Sequence, residues 1–132
     1  MNKIHSLLSS NERADFLDAI KSIQYKVQWK YGKDEAHLKK RQRMGHISMS
    51  ASLMEYEEII QNIVNSKRNV AYLYEYNETD YYAVRGFFQS KEWIVIFGSG
   101  GIMETAFPPE DVDDYLHKRG FVLIGTIQEI LS

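Results

Sequence analysis

The chain contains no cysteine, which removes disulfides, thiol catalysis and cysteine-ligated zinc from consideration. No apolar run approaches the roughly 18 residues that a membrane-spanning helix needs. The start, "MNKIHSLLSSNERADF", has too short an apolar stretch for a secretory signal. A cytoplasmic location is therefore expected, with a secreted effector domain left open. The chain has no linker, internal repeat or low-complexity segment. A marked excess of one charge is missing as well: 16 Lys and Arg against 18 Asp and Glu leave a net charge of −2. That balance does not advertise nucleic-acid binding. No His-Glu-x-x-His and no paired His at ligand spacing occur, so neither a metal nor another cofactor is expected.

What is present is ordinary globular material, 44% hydrophobic and 26% charged, in 132 residues. One domain over 1–132 is expected, with a helical part at about 10–65, a sheet at 70–107 and a C-terminal helix and tail at 108–132. Phe16, Ile20, Ile23 and Val27 recur at helical steps and predict a helix from about Asn11 to Tyr31, stopped by Gly32. A second helix is expected over Asp34 to Met44, ended by Gly45. A third opens on a capping box, Ser52 with Glu55, and buries Leu53, Tyr56, Ile59, Ile60 and Ile63.

The period then changes to two. Val70–Tyr76, Asp80–Phe88, Glu92–Gly98 and Ile102–Phe107 read as strands joined by "NET", "QSK" and "SGG". Connections so short make the strands antiparallel neighbours. "PPEDVDDYLHKRG" predicts a short helix stopped by Gly120, followed by a strand over Phe121–Ile124 and a helical turn over Thr126–Leu131. The fold class is α+β: N-terminal helices, a four-stranded antiparallel meander and a short C-terminal helix.

Four places bear chemistry. "GSGG" precedes strand residues and has no Lys, so it reads as a hairpin turn rather than a phosphate cradle. In "IMETAF", strict alternation places Met103, Thr105 and Phe107 on one face and Ile102, Glu104 and Ala106 on the other. Lys33 to Arg43 holds five basic residues and two acids, and Pro108 to Asp114 holds four acids and no base. In "HLKKRQRMGH" a helix puts His37 and Arg41 on one face, where an imidazole could move a proton and a guanidinium could hold a phosphate. Lys40, Arg43 and His46 would extend that patch along a polyanion. Arg85, mid-strand among aromatics, is either solvent-facing or the sheet's share of an anion site. Tyr72, Tyr74, Tyr76, Tyr81 and Tyr82 offer stacking surfaces for bases, with Tyr82 taken as the substrate-binding one.

The order of these parts resembles a known group. "H-x-x-x-R" at His37–Arg41 leads into "G-x-I-S" at Gly45–Ser48, then a helix, then a meander ending in "T-A-[YF]-P" at Thr105–Pro108. Over about residues 34–108 this is similar to the metal-independent ribonuclease toxins grouped with barnase, EndoU, colicin D and RelE. The resemblance implies His37 as general base or acid, Arg41 as phosphate ligand, Thr105 as hydroxyl donor and Arg85 as a looser candidate. It implies RNA as substrate, a 2′,3′-cyclic phosphate product and, for a toxin, an acidic neutralising protein. The alternative is a non-catalytic immunity or regulatory module that uses its aromatic sheet and "PPEDVDDYL" as an interface. The enzyme reading requires His37, Arg41, Arg85 and Thr105 to share a cleft about 10 Å across.

Overall fold

The computed structural model describes residues 8–132; the first part of the segment read for a secretory signal, residues 1–7, lies outside them. Helix α1 spans Ser10–Tyr25 behind a complete capping box of Ser9 and Glu12. It ends six residues before Tyr31, the end expected from its periodicity. The reason is visible in "KVQWKY": Val27 is buried and Trp29 half-buried, whereas Gln28 and Lys30 are exposed, a period of two. Gln28–Trp29 forms a two-residue strand β1. Gly32 therefore stops no helix; with φ 74° it begins α2, Lys33–Arg43. Helix α3, Leu53–Asn65, starts where Ser52 accepts from the Glu55 amide and buries Tyr56, Ile59, Ile60, Ile63 and Val64.

Strands β2 (Val70–Tyr76), β3 (Thr79–Phe88), β4 (Lys91–Phe97) and β5 (Ile102–Phe107) make the expected antiparallel meander. Helix α4 (Val112–Arg119), strand β6 (Val122–Thr126) and helix α5 (Ile127–Leu131) complete the chain. The sheet has six strands, ordered β1-β5-β4-β3-β2-β6, because β1 joins β5 in parallel and β6 joins β2 antiparallel. No helix among the described residues is long and apolar enough to cross a membrane.

The two faces of the sheet have different occupants. On one, Ala71, Tyr82, Val84, Trp93, Val95 and Phe97 pack with Phe16, Ile23, Ile60 and Ile63 of α1 and α3 into the main core. On the other, Val112 and Leu116 of α4 cover Ala83, Ile94 and Ile96 and leave the remainder open. Along β5 the register shifts: Ile96 faces Thr105 but Phe97 faces Met103, so Glu104 is an extra residue. Met103 thus enters the main core, fully buried, while Thr105 and Phe107 lie on the open side. Strict alternation, which paired Met103 with Thr105, fails at this bulge.

"GSGG" is the β4–β5 turn, with Ser99–Gly101 as a short 3-10 segment. Gly100 and Gly101 have φ of 73° and 80°. Ser99 donates its hydroxyl to Asp15 at 2.8 Å, and Gly101 lies so near α1 that a Cβ would sit 2.8 Å from the Ala19 carbonyl oxygen. A Cβ on Gly100 meets nothing within 4 Å. Gly100→Ala then costs about 1 kcal/mol, for the left-handed backbone alone. Gly101→Ala adds the clash and costs at least twice that; equal losses in urea unfolding would show that α1 is not packed this closely.

Candidate active site

Beside α4, on the open side of the sheet, lies a groove of about 690 Å³. Its floor is laid by the alternation of the strands: Thr105 and Phe107 of β5, Ile96 of β4, Tyr81 of β3 and Tyr74 of β2. The bulge adds Glu104. One bank is the α2 face bearing Lys33, His37, Lys40 and Arg41, with Met44 just past its end, and the other is Tyr115, Arg119 and Phe121. Lys30, just past β1, reaches in and pairs with Glu104. Five cationic side chains thus share the lining with one carboxylate. The net charge of the chain conceals this, because the acids are elsewhere.

His37 is held on two sides. Its ring stacks on Trp29, centroids 5.5 Å apart, and Trp29 is anchored by its indole N–H donating to Glu57 at 2.8 Å. His37 Nδ1 lies 3.4 Å from Thr105 Oγ1. Burial, followed by the charges of Arg41, Lys33 and Lys40, lowers its pKa from the usual 6.5. The imidazole is therefore neutral at pH 7 and free to take a proton.

One turn along α2, Arg41 is only 3% exposed. Its guanidinium lies over the Phe107 ring at 5.1 Å, and its Nη1 is 3.1 Å from His46 Nδ1. Arginine can only donate, so His46 accepts at Nδ1 and carries its proton on Nε2. Burial and the charges of Arg41 and Lys91 lower the His46 pKa, which favours that neutral form. Arg41 Nε has no partner, and no carboxylate pairs with this guanidinium among the described residues. A desolvated cation without a counter-ion is costly in an unliganded protein, and an anion in the groove would supply what it lacks.

The residues singled out from the sequence separate accordingly. His37, Arg41, Thr105 and Lys40 line the groove. His46 stands behind Arg41 and faces a second hollow with Lys91 and Trp93. Arg43 is exposed on α2 and lines neither hollow. Arg85 shares the groove's sheet face but is enclosed: Glu92 takes Nε and Nη2 at 3.0 and 2.9 Å, and Asp113 and the Tyr72 hydroxyl take Nη1. It ties α4 to the sheet and is not part of an anion site. Tyr82 points the other way, fully buried in the main core with its hydroxyl donating to Asp15 at 2.8 Å. It offers no surface to a base.

Sequence reasoning passed over Glu104 and Lys30. A carboxylate inside an apolar strand is the same signal that drew attention to Arg85, but alternation assigned Glu104 to the wrong face. In "PPEDVDD", Asp111 caps α4, Asp113 holds Arg85 and Asp114 holds Lys118. A separate acidic cluster, Glu12, Glu75 and Asp80, brings carboxylate oxygens within 4.8 Å of one another. Burial and those neighbours push the Asp80 pKa up to about 6.

A scan against protein-family models and searches of curated proteins and of solved structures found no match for this chain.

Two outcomes follow from the charges. Arg41→Met, which keeps the length over Phe107 and removes an unpaired buried charge, leaves urea stability unchanged or raises it by about 1 kcal/mol; a loss above about 2 kcal/mol would show a structural counter-ion. Asp80 has a folded pKa above its unfolded value, so the fold favours its protonated form and gains stability as pH falls through about 6. Asp80→Asn therefore raises the melting temperature at pH 7 and has little effect near pH 4; the reverse pattern would refute the repulsion.

Proposed function

We propose that the chain is an RNA phosphodiesterase of the metal-independent ribonuclease type, with the groove as its active site. The observation that carries this reading is the buried, counter-ion-free guanidinium of Arg41 one helical turn from a neutral His37 in contact with Thr105. A phosphodiester is a monoanion whose transfer step adds negative charge at the non-bridging oxygens, and buried cationic donors are worth most against such charge. The resemblance of residues 34–108 to the barnase, EndoU, colicin D and RelE group supports the same reading.

In this mechanism His37 takes the proton of a ribose 2′-hydroxyl as its oxygen attacks the adjacent phosphorus. The bond to the 5′-oxygen breaks, that oxygen takes a proton from solvent water at the groove mouth, and His37 gives the proton it took to the hydroxide left behind. Arg41 and the Thr105 hydroxyl donate to the non-bridging oxygens, while Lys33 and Lys40 attract the strand. Glu104, paired with Lys30, keeps a lysine at the lip from folding over the phosphate site. The products are a 2′,3′-cyclic phosphate and a 5′-hydroxyl. Arg85 has no part in this scheme, since three partners already occupy it. The interface reading, a non-catalytic module built on "PPEDVDDYL", has fewer free groups than the sequence offered, because three of the segment's acids are engaged within the fold. A neutralising protein, if the chain is a toxin, would present carboxylates to the α2 bank.

The test is cleavage of a mixed RNA pool in EDTA. Wild type cleaves, and His37→Ala loses about a hundredfold or more while remaining folded. Because the His37 pKa lies below its usual 6.5 and the base must be unprotonated, the acid limb of kcat/KM falls below pH 6.5 and the rate is flat from pH 7 to 8. Absence of cleavage by folded wild type would end the catalytic reading. An acid limb above pH 7 would remove His37 as the base.

A further inference from the structure

We infer that the groove also carries a stacking platform for the unpaired bases of a single-stranded polynucleotide, formed by Tyr81, Tyr74 and Phe121. The inference rests on the proposed function for the placement of the phosphate only. The first observation concerns hydroxyl groups. Three of the tyrosines end on a partner: Tyr56 donates to the Ala106 carbonyl at 2.6 Å, Tyr82 to Asp15, and Tyr72 accepts from Arg85. Tyr74 and Tyr81 line the groove half-buried, and neither hydroxyl has a hydrogen bond among the described residues. Half-buried phenol rings with no internal bond to make are what a sequence-tolerant stacking surface requires, since every base presents a π-face.

The second observation is their arrangement. Tyr74 and Tyr81 are cross-strand partners on β2 and β3, with ring centroids 6.4 Å apart, and Phe121 continues the series 5.0 Å from Tyr74. Thr105 is on β5, two strands from Tyr81 and three from Tyr74. The row of Thr105 across the sheet runs through Ile96, Ala83 and Tyr72, so Tyr81 and Tyr74 are also offset by two residues along the strands, and strand spacing and rise together put them about 12 and about 16 Å away. The rings thus stand at successive steps from the phosphate site, as bases of consecutive nucleotides would. The cations follow the same division, with four on the His37 side and Arg119 on the far bank. Arg119 lies over Tyr115 at 4.7 Å and pairs with no carboxylate among the described residues, a suitable place for a second backbone phosphate. Paired bases in a duplex are buried in their own stack and cannot use such a floor.

The decisive probe is a short 2′-O-methyl oligoribonucleotide, which has no 2′-hydroxyl to attack and so reports binding alone. Fluorescence anisotropy with the full chain should show the single strand bound more tightly than the same strand annealed to its complement or made abasic. Tyr81→Leu and Tyr74→Leu should each weaken binding about fivefold to a hundredfold, while the corresponding Phe variants, which keep the ring, should bind as wild type does. Equal affinity for abasic and normal strands, or Leu variants indistinguishable from wild type, would overturn the platform, and cleavage dependent on His37 would then survive without it. Binding that needs the tyrosine rings in a protein that never cleaves RNA would uphold the platform and remove the catalytic reading.

Discussion

The extra residue in β5 governs both halves of this protein. A strand that kept strict alternation through "IMETAF" would send Met103 and Thr105 to the same face, costing either the core a large apolar side chain or the groove its hydroxyl. The register shift between Ile96 and Phe97 gives each its own side. It also leaves Glu104 beside the groove, where Lys30 meets it. Directly after the bulge, Tyr56 reaches up from α3 and donates to the Ala106 carbonyl at 2.6 Å. This buried bond fixes the height of the strand that carries Thr105, so the position of the candidate hydroxyl depends on a core helix on the opposite side of the sheet.

Local signals announced most of the architecture. The Ser52 cap, the stops at Gly45 and Gly120 and the change from helical to alternating period are all short-range patterns, and α2, α3, the meander and α4 appear where they indicate. What could not be read depends on contacts distant in sequence. The end of α1 is decided by pairing of Gln28 and Trp29 with Ile102 and Met103, more than 70 positions away. Arg85 and Tyr82 illustrate the same limit from two sides. For Arg85 the sequence leaves a solvent-facing and an anion-site reading open, and only the tertiary fold brings Asp113 across to occupy it. Tyr82 is one of five similar tyrosines, and nothing local says which of them enter the core. His37, Arg41 and Thr105 were legible because a helical turn and a strand motif are compact features. The approach of His37 and Thr105 across 68 positions of sequence to 3.4 Å belongs to the fold.

The electrostatic layout explains how a chain with a net charge of −2 holds a cationic groove. Cations gather on α2 and at the end of α4, while acids are used as caps, as the clamp on Arg85 and in the Glu12, Glu75, Asp80 cluster. Segregation of this kind focuses field in a concave site without making the whole molecule a polyanion sponge. Arg41 is the deepest expression of it, a charge kept from water, supported by a neutral imidazole and an aromatic face instead of a carboxylate.

The two-faced sheet has a consequence for inheritance. Along β3, Tyr82 and Val84 face the main core, while Tyr81, Ala83 and Arg85 face the groove and its α4 cover. Of the second set only Tyr81 lines the groove, since Ala83 is buried beneath α4 and Arg85 is held by Glu92 and Asp113. Substitution along this strand is therefore freest at its groove end, and positions 82 to 85 should change little in any descendant of this sequence, whichever face they serve.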